Sequence, residues 1–426
     1  MKLKGFYSII SVLIVFVFSH CDNNESVIPR DEATFIHLYG GEFQDKGIDI
    51  CALPDGRLAI LASTTETPAV IGEEPVRDVV IILTDTAGKS SELYTLGKRT
   101  KDESPSSMVY HEGHLYIAGT TDDNNPGDKD FLFMKFSISN GSMTNYLSIG
   151  YQGIDETCYD NAVFENVSGE NNTTISGIIM VGESDSIDFR SSLDIWVTFE
   201  GDSIGRNQLD GVLPNGRTKS VLVESGSFQY TFVAEESDSY TPTGQSIIIA
   251  SNAFSNGRRS RSKKHLTGFN GFNYADKILS VNSNSAYLVD GYNSTSGLSI
   301  NSDTAGLFKR QNDINFTSIS TIKIDTLDME VKDIYETIDN GYLLLGTSTN
   351  TSTNLNTIKL VKFNFNLNEV LWVQNFGTNQ EFDDAGSLIQ MKDGKIFFTA
   401  AVSFQRGESN TKIALYKTTA DGKLDF

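Results

Sequence analysis

"EVKDIYETIDNGYLLLGTSTN" (330–350) returns, with changed residues, as "DDAGSLIQMKDGKIFFTAAVS" (383–403). Each copy holds two short apolar runs around Asn340-Gly341 or Asp393-Gly394, dipeptides that turn one strand back on the next. The unit can be followed backwards through "SVNSNSAYLVDGYNS" and "SMVYHEGHLYIAGTT" to "ICALPDGRLAILAST". Weaker copies lie at "FENVSGENNTTISGIIMVGES" and "VESGSFQYTFVAEES". The second strand of the unit falls at Leu58, Leu115, Ile178, Phe232, Tyr287, Tyr342 and Ile396, in steps of 57, 63, 54, 55, 55 and 54 residues. Seven units of near-constant period, each with about four short strands, predict an all-β fold, a seven-bladed β-propeller. A pair of β-sandwiches would not explain the constant period.

The other strands follow from the same ruler. Third strands are expected at "DVVIILT", "DFLFMKF", "DIWVTF", "SIIIAS", "AGLFK", "TIKLVKF" and "TKIALYK", and the clearest fourth strand is "EVLWVQNFGT". Helical periodicity is almost absent. Residues 33–63 align with 370–403, so the chain begins with an outermost strand and its last unit stops after a third. Residues 34–39 are therefore expected to complete the final blade and remove an open edge. Residues 33–426 read as one propeller domain.

Ahead of it stands an export signal. Lys2 and Lys4 precede an apolar run from Phe6 to Phe18, which is shorter than the roughly 20 residues a membrane-spanning helix needs. Ser19, His20 and Cys21 follow. This resembles the lipobox of bacterial lipoproteins, with Phe18 and His20 departing from the favoured residues. The resemblance implies a signal peptide over 1–20, acylation of Cys21 and a polar tether over 21–32, "CDNNESVIPRDE". More than one acyl chain makes a stable anchor, since each buried methylene contributes about 0.8 kcal/mol. The acidic residues after Cys21 resemble a surface-export tag of one group of Gram-negative bacteria. The expected place is the outer membrane, facing the cell exterior.

The chain carries a formal charge of −21, which excludes nucleic-acid binding by bulk electrostatics. Cys51 and Cys158 are expected as buried free thiols, with a disulfide as the alternative. The cadence of Gly-Tyr, Gly-Thr, Lys-Phe, Trp and Phe-Gly is similar to that of propeller-repeat lipoproteins of Gram-negative surfaces. That resemblance implies a fold and a location, and carries no catalytic residue.

Chemistry is sparse in the sequence. His111 and His114 flank a hairpin turn three apart, where a zinc-protease motif needs two His four apart on a helix. No strand–turn–helix elbow presents a serine, and no Gly-rich loop opens a helix. No cofactor or structural metal is called for, and no catalytic residue is named. The loops entering each first strand gather Glu42, Asp45, Asp102, Glu103, Asp155, Glu156, Glu381, Asp383 and Asp384 near one rim. These either cap backbone amides or form an acidic mouth for a cation or basic partner. "DDNNPGDKD" (122–130) has oxygens for calcium without EF-hand spacing. Five Asp–Ser/Thr tripeptides, at 85–87, 185–187, 202–204, 303–305 and 325–327, resemble a bacterial O-glycosylation signal.

One basic stretch interrupts the acidity. "NGRRSRSKKHL" (256–266) holds Arg258, Arg259, Arg261, Lys263 and Lys264, expected between the third and fourth strands of blade four. It is either a solvated loop or a contact for anionic lipid or an acidic protein. The reading is a binding or scaffold subunit of an outer-membrane protein complex for transport, secretion or assembly, without enzymatic activity. A glycan-binding lipoprotein is the alternative, and a channel hydrolase a third. Glycan binding wants exposed aromatics, whereas Trp196 and Trp372 both fall in expected strands.

Overall fold

The computed structural model describes residues 36–40, 44–65, 76–98, 100–125, 128–168, 174–185, 190–208, 216–223, 229–237, 245–253, 262–266, 272–281, 286–294, 304–311, 318–350, 352–378, 380–403 and 410–425. Their strands pair into seven four-stranded antiparallel sheets. A single strand, β1 (Ile36–Tyr39), comes first. Blade one follows with β2 (Lys46–Ala52), β3 (Leu58–Thr65), β4 (Arg77–Thr84) and β5 (Ser91–Leu96). Blade two holds β6 (Glu103–His111), β7 (His114–Asn125), β8 (Asp128–Ser137) and β9 (Ser142–Ile149). Blade three holds β10 (Asp155–Ser168), β11 (Thr174–Asp185), β12 (Arg190–Thr198) and β13 (Ser203–Gln208). Blade four holds β14 (Arg217–Val223), β15 (Gln229–Ser237), β16 (Gln245–Ala253) and β17 (Ser262–Leu266). Blade five holds β18 (Phe272–Val281), β19 (Ala286–Ser294), β20 (Thr304–Gln311) and β21 (Ser318–Asp328). Blade six holds β22 (Glu330–Glu336), β23 (Tyr342–Asn350), β24 (Leu355–Phe363) and β25 (Val370–Phe376). Blade seven holds β26 (Asp384–Gln390), β27 (Ile396–Ser403) and β28 (Thr411–Thr418), with β1 as its outermost strand.

The two chain ends therefore share a sheet. Ile36 pairs with Tyr416 and Tyr39 with Ile413, as the sequence alignment of the termini implies. First strands touch in order, β2 to β6, β10, β14, β18, β22 and β26, and β26 returns to β2. The fold is an all-β propeller with four-stranded blades.

Apolar layers between consecutive blades hold the ring. Second strands are buried on both faces, and the period-two alternation of a strand sends successive side chains to opposite neighbours. Leu58, Ile60 and Ala62 pack with Phe397, Ile413 and Leu415 of blade seven. Ala59 and Leu61, one step along, pack with Ile117, Leu132 and Met134 of blade two. The same division recurs around the ring, with Leu343 and Leu345 against Phe398 and Ala400, and Ile179 and Val181 against Tyr230 and Phe232. Burying one such side chain contributes about 1.5–3 kcal/mol. The hairpins between first and second strands turn at residues with positive φ, Asn340 (59°) and Gly394 (87°) among them, which explains the Asn-Gly and Asp-Gly dipeptides.

Candidate functional site

The first strands line the axis of the ring, and each breaks register near its start. The slips fall at Ile48, Ser106 and Tyr159 in β2, β6 and β10. They continue at Lys219, at Asp276 and Lys277, at Lys332, and at Gly386 and Ser387 in β14, β18, β22 and β26. A β-bulge opposes two residues to one and interrupts the in–out alternation, so two neighbouring side chains can face the same way. The paired residues, all but Asp333, line an axial cavity of about 140 Å³. That exceeds by far the roughly 10–15 Å³ of such space a single water needs.

Two layers result. One residue of each pair gives Ile48, Ser106 and Tyr159 on blades one to three, then Lys219, Asp276 and Lys332 on blades four to six, with Gly386 closing the circle. The next residue along gives Asp49, Ser107, Asp160, Ser220, Lys277, Asp333 and Ser387.

Most of the second layer ties blade to blade. Asp333 accepts hydrogen bonds from the Ser387 hydroxyl (2.6 Å) and the Leu388 amide (2.8 Å) of blade seven. Asp160 accepts from the Ser220 hydroxyl (2.7 Å) and the Val221 amide (3.1 Å) of blade four. Asp49 accepts from the Met108 amide of blade two at 2.9 Å, but the neighbouring Ser107 hydroxyl has no hydrogen-bond partner among the described residues. Lys277 donates to Asp333 at 2.6 Å. Burial works against its charge, but Asp333, Asp49 and Asp160 together outweigh that and raise its pKa. Burial pushes Asp49 and Asp160 upward, only partly offset by Lys277.

The first layer is less committed. The Lys219 ammonium lies 4.0 Å from the centre of the Tyr159 ring, and the Tyr159 hydroxyl donates to Glu183 at 2.5 Å. Arg217 pairs with Glu183 at 3.0 Å. Lys332 donates to Glu330 at 2.8 Å and lies 3.8 Å from Asp384, which also pairs with Lys46 at 2.5 Å. Burial pushes Asp276 up to about 7, against the pull of Lys332, Lys219 and Lys277 and with the push of Glu330.

The rim carboxylates read differently from an acidic mouth. Asp45, Glu103, Glu156 and Asp383 are all fully buried. Glu103 accepts from the Lys98 amide (3.0 Å), Glu156 from the Tyr151 amide (3.1 Å) and Asp383 from the Thr378 and Ser403 amides (2.6 and 3.0 Å). The glycine opening each loop allows this close approach. A Cβ at Gly377 would meet Asp383, and one at Gly97 would meet both Asp78 and Glu103. Asp102 is held by Arg77 at 2.7 Å, and Asp155 accepts from the Lys129 amide at 3.1 Å. Asp384 belongs to the channel charges, Glu381 is exposed, and Glu42 lies outside the described residues. Capping is the better account of this rim.

The remaining sequence candidates separate in the same way. In the 122–130 stretch Asp122 accepts from the Asp102 amide, Asp128 from the Gly153 amide and Asp130 from the Ser148 hydroxyl, so these oxygens brace loops. His111 stacks on Phe199 with centroids 4.4 Å apart, and His114 bonds the Glu112 carbonyl across the hairpin. Among the described residues no group of three or more His, Cys, Asp or Glu is placed to hold a metal. Cys51 and Cys158 are free, on β2 and β10, and burial pushes the Cys51 thiol up to about 12. Trp196 is buried between blades three and four. Lys263 and Lys264 sit within the fourth strand β17, opposite Ala250 and Ile249, rather than in the loop before it. Arg258, Arg259 and Arg261 lie outside the described residues, as does Cys21.

Sequence reading did not find the channel residues. The signal is present: "Ile48-Asp49-Ile50", "Ser106-Ser107-Met108", "Lys219-Ser220-Val221" and "Lys332-Asp333-Ile334" interrupt the apolar alternation at one step of the repeat.

No protein-family model matches the chain, and no curated protein matches it. Among solved structures it is similar to a protein of unknown function from Dyadobacter fermentans, at 11% identity and a TM-score of 0.52, covering 90% of this chain and 98% of that one. That likeness shows a shared fold alone. Two further structures have TM-scores below 0.5 and carry no argument about activity. The NanB sialidase of Streptococcus pneumoniae is 12% identical, with 93% of this chain and 72% of that one covered at 0.47. The β-propeller domain of the Trilobed protease from Pyrococcus furiosus is 8% identical, with 91% and 95% covered at 0.45.

Proposed function

We propose that the protein is a lipid-anchored propeller of the outer membrane, facing the cell exterior, that serves as a binding subunit of a membrane protein complex. The observation that carries this reading is the outer edge of blade six. On β25, Leu371 is 48% exposed and Val373 41%, and Val370 beside them is also exposed. Edge strands of soluble proteins are usually blunted by charge or covered, and an apolar edge offers both backbone and side-chain contacts to a partner. The recurring carboxylates support a binding role too, because they are occupied in bracing the ring.

The test is co-purification of the full chain with outer-membrane proteins, followed by mass spectrometry. Leu371→Glu with Val373→Lys should reduce recovery of the partner at least tenfold while the melting temperature holds. Cys21→Ser should abolish membrane association, because the acyl chains supply it. Reversal of Arg258, Arg259, Arg261, Lys263 and Lys264 to Glu separates the basic face from the blade edge. Recovery that survives the β25 double substitution but falls on charge reversal would move the partner to the basic face.

A second reading, a hydrolase working in the channel, draws on Asp276. A carboxyl group near pKa 7 is suited to general acid or base chemistry at neutral pH. Asp276→Asn would remove any such activity and leave co-purification unchanged, so the two readings separate on one variant.

A further inference from the structure

The two layers of the axial cavity are charged oppositely. Lys219 and Lys332 flank Asp276 on blades four to six and leave the first layer one net positive charge. In the second layer Asp49, Asp160 and the single cation Lys277 line the cavity, with Asp333 buried behind Lys277, and the balance of these four is negative by two. The excess is not spread evenly. Asp333 holds Lys277 directly, whereas Asp49 and Asp160 stand on either side of Ser107 on blades one to three. That arc is rich in acceptors. Ser107 within it lines the cavity and is 7% exposed, and its hydroxyl, shut off from solvent, has no hydrogen-bond partner among the described residues. A buried hydroxyl left unmade costs roughly 1–3 kcal/mol, and such a group in a cavity wall is explained by something that enters the cavity.

A cation alone would satisfy the acceptor arc and face the lysines of the opposite wall. An anion alone would satisfy the lysines and face the carboxylates. A molecule carrying both charges answers both walls. The layers are one residue step apart, about 3.3 Å along a strand. In an α-amino acid the nitrogen and the carboxyl carbon are about 2.5 Å apart, given the bond lengths either side of Cα. We propose that the axial cavity binds a small zwitterion of the α-amino-acid class, its ammonium on the Asp49–Ser107–Asp160 arc and its carboxylate facing Lys219 and Lys332. Gly386 and Ile48 form the uncharged part of the wall, and with Ser106 beside them leave room for a short side chain. This site is independent of the blade edge, and neither proposal falls with the other.

The experiment is isothermal titration of the full-length protein in detergent with glycine, L-alanine and L-serine, and separately with acetate and methylamine. At least one amino acid should bind at one site per chain, at least tenfold more tightly than acetate or methylamine. Lys219→Met should weaken it at least tenfold. Asp49→Asn keeps an acceptor for the Met108 amide while removing the charge, and should do the same. Both variants are checked by thermal unfolding, and either suffices if the other fails to fold. The proposal is overturned if none of the three amino acids saturates by about 10 mM. It is equally overturned if acetate matches them, which makes a plain anion site, or if methylamine does, which makes a plain cation site. Unchanged affinity in a folded Lys219→Met protein also ends it.

Discussion

Second strands and first strands repeat with the same period but repeat different things. A second strand carries the same chemistry wherever it occurs: β3, β23 and β27 each begin with a run of buried residues that divides between two neighbouring blades. A first strand repeats a geometry. Its bulge recurs at one place, yet the residue there is Ile48, Tyr159, Lys219 or Gly386 by turns. Packing between blades tolerates little change of volume or polarity, so the apolar pattern survives in every copy. The channel wall packs against space, which frees its side chains to differ. In a repeat protein the uniform strands report the architecture, and the divergent positions at a shared geometry report the site.

The contrast can be broken first where it is strongest. Phe398 on β27 is fully buried, stacks on Tyr416 at 4.7 Å between centroids and meets Phe376 edge-on at 5.0 Å. Phe398→Ala removes the ring and leaves a cavity between blades six and seven. A loss of about 3–5 kcal/mol in unfolding free energy is expected, read from urea denaturation. An equal loss from Ile48→Ala in the channel wall would erase the distinction between the two kinds of strand.

Asp333 tests the place where the channel layer bears the most structure. It receives the Ile334 amide (2.8 Å), the Ser387 hydroxyl, the Leu388 amide and the Lys277 ammonium. Asp333→Ala removes the carboxylate bonded to Lys277 and unties blade six from blade seven, at a cost of about 3 kcal/mol. Asp276→Ala, in the layer with fewer ties, should cost under about 1 kcal/mol in the same measurement.

This division also explains what the sequence made legible. The period, the four strands per blade, the turn dipeptides and the pairing of Ile36–Tyr39 with the last blade are all visible in it, because each rests on local alternation and on spacing. The channel was not visible as a site. Asp49 and Asp333 are 284 residues apart in number, and a carboxylate before an aliphatic residue looks like an ordinary strand end until the ring closes. Rim carboxylates misled in the opposite direction. Glu103 and Asp383 stand in polar loops, and only the positive φ of Gly97 and Gly377 shows that those loops fold back over them.

The buried rim carboxylates give the most easily overlooked effect. Burial pushes Glu103 up to about 7, with Asp78 adding to the rise and the Lys98 amide and Tyr146 hydroxyl opposing it. Burial pushes Glu156 up to about 8, with Asp130 adding to it and the Tyr151 amide opposing. An unfolded glutamate titrates near 4.3. Between that value and the folded one, the native state holds protons that the unfolded chain has released. Their contribution to stability is complete below about pH 4.5 and is lost as the pH climbs through 7 and 8. The melting temperature should therefore fall by roughly 2 °C or more between pH 5.5 and 9, a change of about 2 kcal/mol for a domain of this size. Glu103→Gln with Glu156→Gln keeps an acceptor for each loop amide and removes their titration, so its melting temperature should fall clearly less over that range than that of the unsubstituted protein. A slope that persists in the double variant would place the pH dependence in the channel, where Asp276 titrates in the same window. Asp276→Asn would then flatten it.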